Sequence, residues 1–203
     1  MNVQIRKTNI SEFHETVYLT REVFWNLYDS GCKDHLILHN FRKSEDFIEE
    51  LDVVAIFQEK IAGHIITTKS KVIGPNKEVH EVLHVGPVSV ATDLHGKGIG
   101  SMLINYSIEK AREMGFSAMI LFGNPGYYSR FGFKNAEAFK ITTSEGLNFD
   151  PFQALELKEN GLMNVTGKFY PPASIQYTEE ELEEFEKQFP KKKKGEPKFK
   201  IIL

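Results

Sequence analysis

The chain is poor in cysteine. Cys32 stands alone among 203 residues, so no internal disulfide can form and no cysteine pair supplies a metal-ligand spacing. No metal site is expected. Long apolar runs are also missing. Nothing approaches the roughly 18 residues of a membrane span, and the opening MNVQIRKTN lacks the apolar core of a secretory signal. These absences point away from a membrane and towards a reducing, cytoplasmic setting. Charge of one sign is not in excess. A formal net charge of −3 gives no basic field for nucleic acid. Internal repeats and low-complexity linkers are absent as well. What remains is ordinary globular composition, 41% hydrophobic and 26% charged, and enough length for one sizeable core.

Val3–Lys7 alternates weakly and predicts a first strand. Ser11 reads as the N-cap of a helix to about Trp25, with Phe13, Val17 and Phe24 at helical spacing. YDSGCKDH reads as a loop. Ser44, followed by Phe47, Ile48 and Leu51, predicts a second, shorter helix. VVAIFQEKIAGHIITTKSKV reads as a hairpin turning at Gln58–Lys60, broken by GPNKE, and VHEVLHVGPVSV as a further strand. After HGKGIGS, residues Ile99, Met102, Leu103, Tyr106 and Ala111 mark one face of a helix that stops at Gly115. SAMILF is a short buried strand. Strand, glycine turn, helix and strand make one βαβ unit, whose strands should be parallel. Everything before it reads as antiparallel, so the expected class is α+β with a mixed, largely antiparallel sheet.

Beyond residue 140, FQALEL and VTGKFY read as strands around an Asn160-Gly161 turn. Thr178 and Glu181 predict a capping box opening an acidic helix to Phe189, ended by Pro190. KKKKGEPKFK reads as a solvated basic tail that partly balances that helix. One domain is expected over residues 1–177, with residues 178–203 packed on it or appended to it.

The glycines of HGKGIGS sit where a strand feeds a helix. Bare N–H groups at such a helix start, together with the macrodipole, make an anion site, and glycine lets phosphate oxygens approach. Two familiar phosphate loops do not fit. A P-loop needs Gly-Lys-Ser/Thr at its end, but Ser101 and Met102 follow Gly100. A dinucleotide fingerprint needs a third glycine where Ser101 stands, and an acid near Phe122 and Gly123. The next segment, GNPGYYSRFGF, offers Asn124 as a cap, Pro125 at the first helical position and Gly132 as a left-handed stop. The intervening helix is barely two turns long. Its adjacent tyrosines, Tyr127 and Tyr128, point about 100° apart, so at least one phenol should reach a cleft or a polar partner.

From about Val82 to Phe133 these residues resemble the acyl-CoA-binding core of the GNAT superfamily of N-acetyltransferases. The family signature Gln/Arg-x-x-Gly-x-Gly/Ala maps onto His95, Gly98 and Gly100, with histidine at its first position. The Tyr-x-x-x-Gly-Phe pattern maps onto Tyr128, Gly132 and Phe133. GNPGYYSRFGF with FQALEL after it is similar to the YhbS-like branch. The resemblance implies the acyl-CoA N-acyltransferase fold, a twisted sheet with helices on both faces and a splayed parallel strand pair. It implies acetyl-CoA as cosubstrate, with the pyrophosphate on Lys97, Gly98, Ile99, Gly100 and Ser101 and with His95 and Gly96 also in the cofactor-binding loop. The pantetheine arm would pair with the backbone of Val88 and Val90, because pairing should fail at Gly86-Pro87. Asn124 and Tyr127 would also meet the cofactor, although helix capping accounts for Asn124 equally well.

The family reaction is transfer of an acetyl group to a primary amine by direct attack. Tyr128 occupies the position of the general acid, with Tyr127 as the alternative; a phenol of pKa about 10 stays protonated at working pH. The position of a base on the fourth strand is held by His84. Glu81, His64 or a chain of waters are the alternatives. The acceptor, a small amine or a protein amino group, would meet the loop Asp29–His39 and the segment Thr142–Phe152. A non-catalytic acyl-CoA sensor is the competing reading. A homodimer is left open.

Overall fold

The computed structural model describes residues 1–199. Its strands are β1 (Gln4–Lys7), β2 (Asp52–Phe57), β3 (Lys60–Ile73), β4 (Val79–Val90), β5 (Ala118–Phe122), β6 (Lys134–Asn135), β7 (Ile141–Thr143), β8 (Phe152–Glu156) and β9 (Gly167–Tyr170). The α-helices are α1 (Phe13–Phe24), α2 (Asp34–Phe41), α3 (Ile99–Glu113), α4 (Pro125–Tyr128) and α5 (Glu179–Glu186). The strands form one mixed sheet in the order β1-β2-β3-β4-β5-β8-β6, with β9 pairing both β3 and β7. β1 to β4 are antiparallel neighbours, β4 and β5 are parallel, and β8 runs antiparallel to β5.

Each strand alternates its side chains between two faces. One face meets α3. There Val85, Met119 and Leu121 pack with Ile99, Leu103, Ile104 and Ile108. Met102 is 38% exposed, so the helix's buried stripe runs through Ile104 and Ile108 instead. On the other face, Phe41 of α2 lies against His84, and α1, α2 and α5 close over Ile66 through Val17, Leu36, Phe185 and Phe189. Val82, Ala118, Ile120, Phe152 and Phe169 form a third cluster on that face.

Four local expectations are corrected. Asn9, not Ser11, caps the first helical segment, because Glu12 three residues on completes a capping box with it. The second helix is α2; residues from Ser44 form turns and a 3-10 turn at Glu49–Leu51, and much of the expected loop Asp29–His39 is helical. β8 and β9 do not pair across Asn160-Gly161, since each has its partners elsewhere in the sheet. Among the described residues the lysines of the tail are exposed, as expected, but none of them forms an ion pair with α5. The tail runs back over the end of α1, where Lys198 and Phe199 donate their N–H groups to the carbonyls of Asn26 and Leu27. Lys192 pairs with Glu22, and the Trp25 indole donates to the Lys193 carbonyl. Residues 200–203 of that tail lie outside the described residues. The capping box of Thr178 and Glu181 is present.

A buried polar cluster ties α1, α2, β2 and β3 together. Arg42 donates from Nε to Asp52 Oδ2 at 2.7 Å and His64 Nε2 meets Asp52 Oδ1 at 2.6 Å, while Thr8 donates to the same oxygen. These partners hold the Asp52 carboxyl well below its ordinary range in spite of its burial. Burial in turn pushes the His64 pKa down. His64 is fully enclosed here, which explains its identity without recourse to chemistry.

Candidate active site

The parallel ladder between β4 and β5 is short. Leu83 pairs with Met119 and His84 with Ile120, and no pairing follows. Beyond it β4 runs on to Val90 while β5 stops at Phe122. Gly86 and Pro87 coincide with the failure. On the β3 side, Val85 faces Thr67 and Val88 faces Ile65, so two residues of β4 oppose Ile66 alone, a bulge. Past the bulge, Ala91 donates to the Ala62 carbonyl. Antiparallel pairs alternate between bonded and non-bonded positions. Val88 and Val90 therefore turn their N–H and C=O groups away from β3, towards the gap that β5 leaves.

The glycine turn lies at the end of that edge. Gly96 and Gly98 have φ of +75° and +85°, and a Cβ at either would meet nothing. Left-handed backbone, not lack of room, demands glycine there. Gly98 caps α3, and among the described residues none of the N–H groups from Gly96 to Ser101 donates to a backbone carbonyl. Gly100 has the opposite reason. Its Cβ would stand 2.7 Å from the Tyr127 hydroxyl, so that phenol rests directly on the first turn of α3. Lys97 is exposed at the rim. His95 does have a side-chain role: its Nε2 donates to the Val90 carbonyl at 2.8 Å, locking the turn to the end of β4 and leaving Val90 only its N–H for a ligand.

α4 stands across the gap. The Asn124 side chain accepts from Gly126 N at 2.8 Å and Pro125 takes the first helical position, as the sequence predicts. The helix is a single α turn continued by a 3-10 turn that Gly132 closes at φ +92°. Tyr127 and Tyr128 meet edge to face at 5.2 Å. Tyr127 points to the glycine turn. Tyr128 lies against Gly123, where a Cβ would strike its ring, and against Phe133 at 5.8 Å. Burial raises the Tyr128 pKa, assisted by the neighbouring phenols of Tyr127 and Tyr28, so it remains a proton donor. Tyr28, from the α1–α2 connection, was not singled out by sequence reasoning, and no local motif marks it.

His84 faces the other side of the sheet. It is 5% exposed and sits among Phe41 at 6.0 Å, Phe122 at 6.4 Å and Phe169 at 6.0 Å. Its Nδ1 is sealed without a partner. Burial alone lowers its pKa to about 4, with no ionised neighbour contributing. Glu81 is exposed near the far end of β4, beside Lys69. Asp34, at the start of α2, has its pKa raised to about 6 by burial. Among the described residues no group of His, Cys, Asp and Glu is arranged to hold a metal ion.

The arrangement is an edge of bare β4 backbone leading into a cradle of free N–H groups, with a protonated phenol on one side and a neutral imidazole on the other. A family model described as an acetyltransferase (GNAT) domain matches residues 4–136. Over 141 residues the chain is 27% identical to a curated Escherichia coli (strain K12) protein, the uncharacterized N-acetyltransferase YhbS, covering 69% of this chain and 81% of the relative. The crystal structure of a GNAT family N-acetyltransferase, YhbS from Escherichia coli, in complex with CoA superposes with a TM-score of 0.72 at 20% identity, covering 86% of this chain and 92% of that one. A GNAT family acetyltransferase from Brucella melitensis in complex with acetyl-CoA gives 0.70 at 26% identity, covering 86% and 99%.

Proposed function

The chain belongs to the GNAT family of acetyltransferases, and from that premise we propose that it transfers an acetyl group from acetyl-CoA to a primary amine, with Tyr128 as the general acid. The observation that carries the reading is the bare edge of Val88 and Val90 running into the unpaired N–H groups of Gly96–Ser101. That edge suits an amide-bearing pantetheine arm, and the cradle suits a diphosphate. Acetyl-CoA supplies the acetyl group as a thioester whose sulfur leaves as a thiolate.

The residues divide the proton traffic. A new N–C bond forms at the amine as the C–S bond breaks. Tyr128 gives its phenolic proton to the departing sulfur and is reprotonated from solvent. The amine must shed one proton, and here the low pKa of His84 matters. Stripping a lysine-like ammonium of pKa 10.4 with a group of pKa about 4 is uphill by about 9 kcal/mol. His84 is thus no store for that proton. It acts as a hydrogen-bond acceptor that aligns an already neutral amine, receiving its N–H at Nε2 with the ring proton on Nδ1. Solvent takes the released proton. Asn124, Tyr127 and the backbone from His95 to Ser101 hold the cosubstrate, Tyr127 by resting its phenol on the cradle.

Thiol release from acetyl-CoA in the presence of a panel of amines tests the reading. Tyr128→Phe should lower kcat by about tenfold to 10⁴-fold while acetyl-CoA affinity, read by calorimetry, stays within twofold or so of the parent. Undiminished turnover would remove Tyr128 from the chemistry. Tight cofactor binding with no amine consumed would favour a sensor.

A further inference from the structure

The sheet face opposite α3 carries an aromatic wall at the end of the β4–β5 gap. Phe122, the last residue of β5, stacks nearly parallel on Phe152 at 5.0 Å and on Phe149 at 5.9 Å. Phe149 and Phe152 are only 6.1 Å from each other. Two rings that close together cannot cover opposite faces of a third, so both lie on one side of Phe122. Phe169 and His84 approach at 6.2 and 6.4 Å, and Phe169 is itself 5.8 Å from Phe152. Phe122 is nonetheless 43% exposed, while Phe152 and Phe169 are buried. Phe122 is thus the exposed end of a largely buried aromatic stack, at the mouth of the gap and beside an imidazole whose Nδ1 has no protein partner.

The wall carries no charge. One amine on an apolar, flat body fits both features, since a ring prefers an offset-stacked partner. We propose that the acceptor is a primary amine carried on a single aromatic ring, the ring stacking on the exposed Phe122 and the amine donating to His84. This rests on the acetyltransferase reading above and names the substrate class of the same site.

The test uses the full chain, acetyl-CoA and four acceptors: phenylethylamine, its saturated cyclohexyl counterpart, spermidine and lysine. Phenylethylamine should give the highest kcat/KM, about tenfold or more above spermidine and lysine. Phe122→Ala should lower kcat/KM for phenylethylamine by about tenfold to a hundredfold, mainly through KM, with acetyl-CoA affinity unchanged. Phe122→Leu, which keeps apolar bulk, should fall between and discriminate the aromatic from the saturated ring less well. A preference for spermidine or lysine, or an equal loss on every acceptor in Phe122→Ala, would overturn the proposal while leaving acetyl transfer standing. Absence of thiol release with any amine would instead sink acetyl transfer. In that event calorimetry of phenylethylamine with the CoA-saturated protein decides the site: binding that Phe122→Ala abolishes supports it, and no binding overturns it.

Discussion

His84→Leu should flatten the acid side of the stability profile. In the folded chain His84 has a pKa of about 4 against an ordinary 6.5. The folded value is depressed, so its contribution is present above pH 6.5 and lost as pH falls towards 4. At about 1.4 kcal/mol for each pH unit, the gap is worth about 3 kcal/mol. His35 behaves in the same way, its pKa also lowered to about 4 by burial. Asp34 acts oppositely: its pKa rises from 3.8 to about 6, so it stabilises the fold as pH falls through that window. The parent curve therefore mixes these groups with others, such as His64 and His39, whose pKa burial also lowers, and only its difference from the variant isolates His84. Leucine is close in size and removes the sealed Nδ1, which is neutral to mildly stabilising at pH 7.5. Calorimetric melts at pH 7.5, 6, 5 and 4 should show the variant gaining on the parent by about 3 kcal/mol over the series. For a chain of this length that is about 6 to 12 °C in Tm. Parallel curves would mean that the imidazole is not shut away from water among Phe41, Phe122 and Phe169, and the alignment role would fall with it.

Gly100→Val should weaken acetyl-CoA binding by about tenfold to a hundredfold, the equivalent of one hydrogen bond to a charged group, because its side chain would displace the Tyr127 phenol from the first turn of α3. Calorimetric titration checks it, and unchanged affinity would place the phosphates elsewhere. Asp52→Ala should cost about 3 to 5 kcal/mol, since it leaves Arg42 buried without its carboxylate; a melting temperature within about 2 °C of the parent would show that the cluster is not a structural clamp.

The βαβ unit was legible because each of its signals is local. Gly98, Asn124, Pro125 and Gly132 are chosen by backbone conformation or capping, which depend on few neighbours. The edge of β4 was legible in part: proline at 87 forbids a ladder bond, and the structure adds the bulge that the glycine before it permits. The rest depended on distant partners. α2 begins at Asp34 without a side-chain cap and is held by contacts with α1 and α5, so Ser44 drew the helix to the wrong place. The tail lysines are exposed as read, but four lysines carry no packing signal, so the binding of the tail's backbone by Asn26 and Leu27 could not be seen. Phe122 appeared in sequence only as a residue that a dinucleotide fold would not have there. Its exposure emerges from Phe149 and Phe152, some thirty residues on.

One extra residue in β4 lets a single strand serve both halves of the proposed reaction. Val85 and Val88 both pack towards α3, although they are an odd number of residues apart. Without the bulge at Gly86-Pro87 they would lie on opposite faces. With it, His84 keeps to the Phe41 side while Val88 and Val90, beyond the bulge, send their peptide groups into the gap. A Cβ on Gly86 would meet Phe41 at 2.9 Å and Ile66 at 3.0 Å, so the same residue that permits the irregular backbone also lets α2 press on the aromatic face. The bulge thus fixes which side of the sheet offers the cosubstrate an edge and which side offers the acceptor a wall, and it does so within four residues of the imidazole that stands between them.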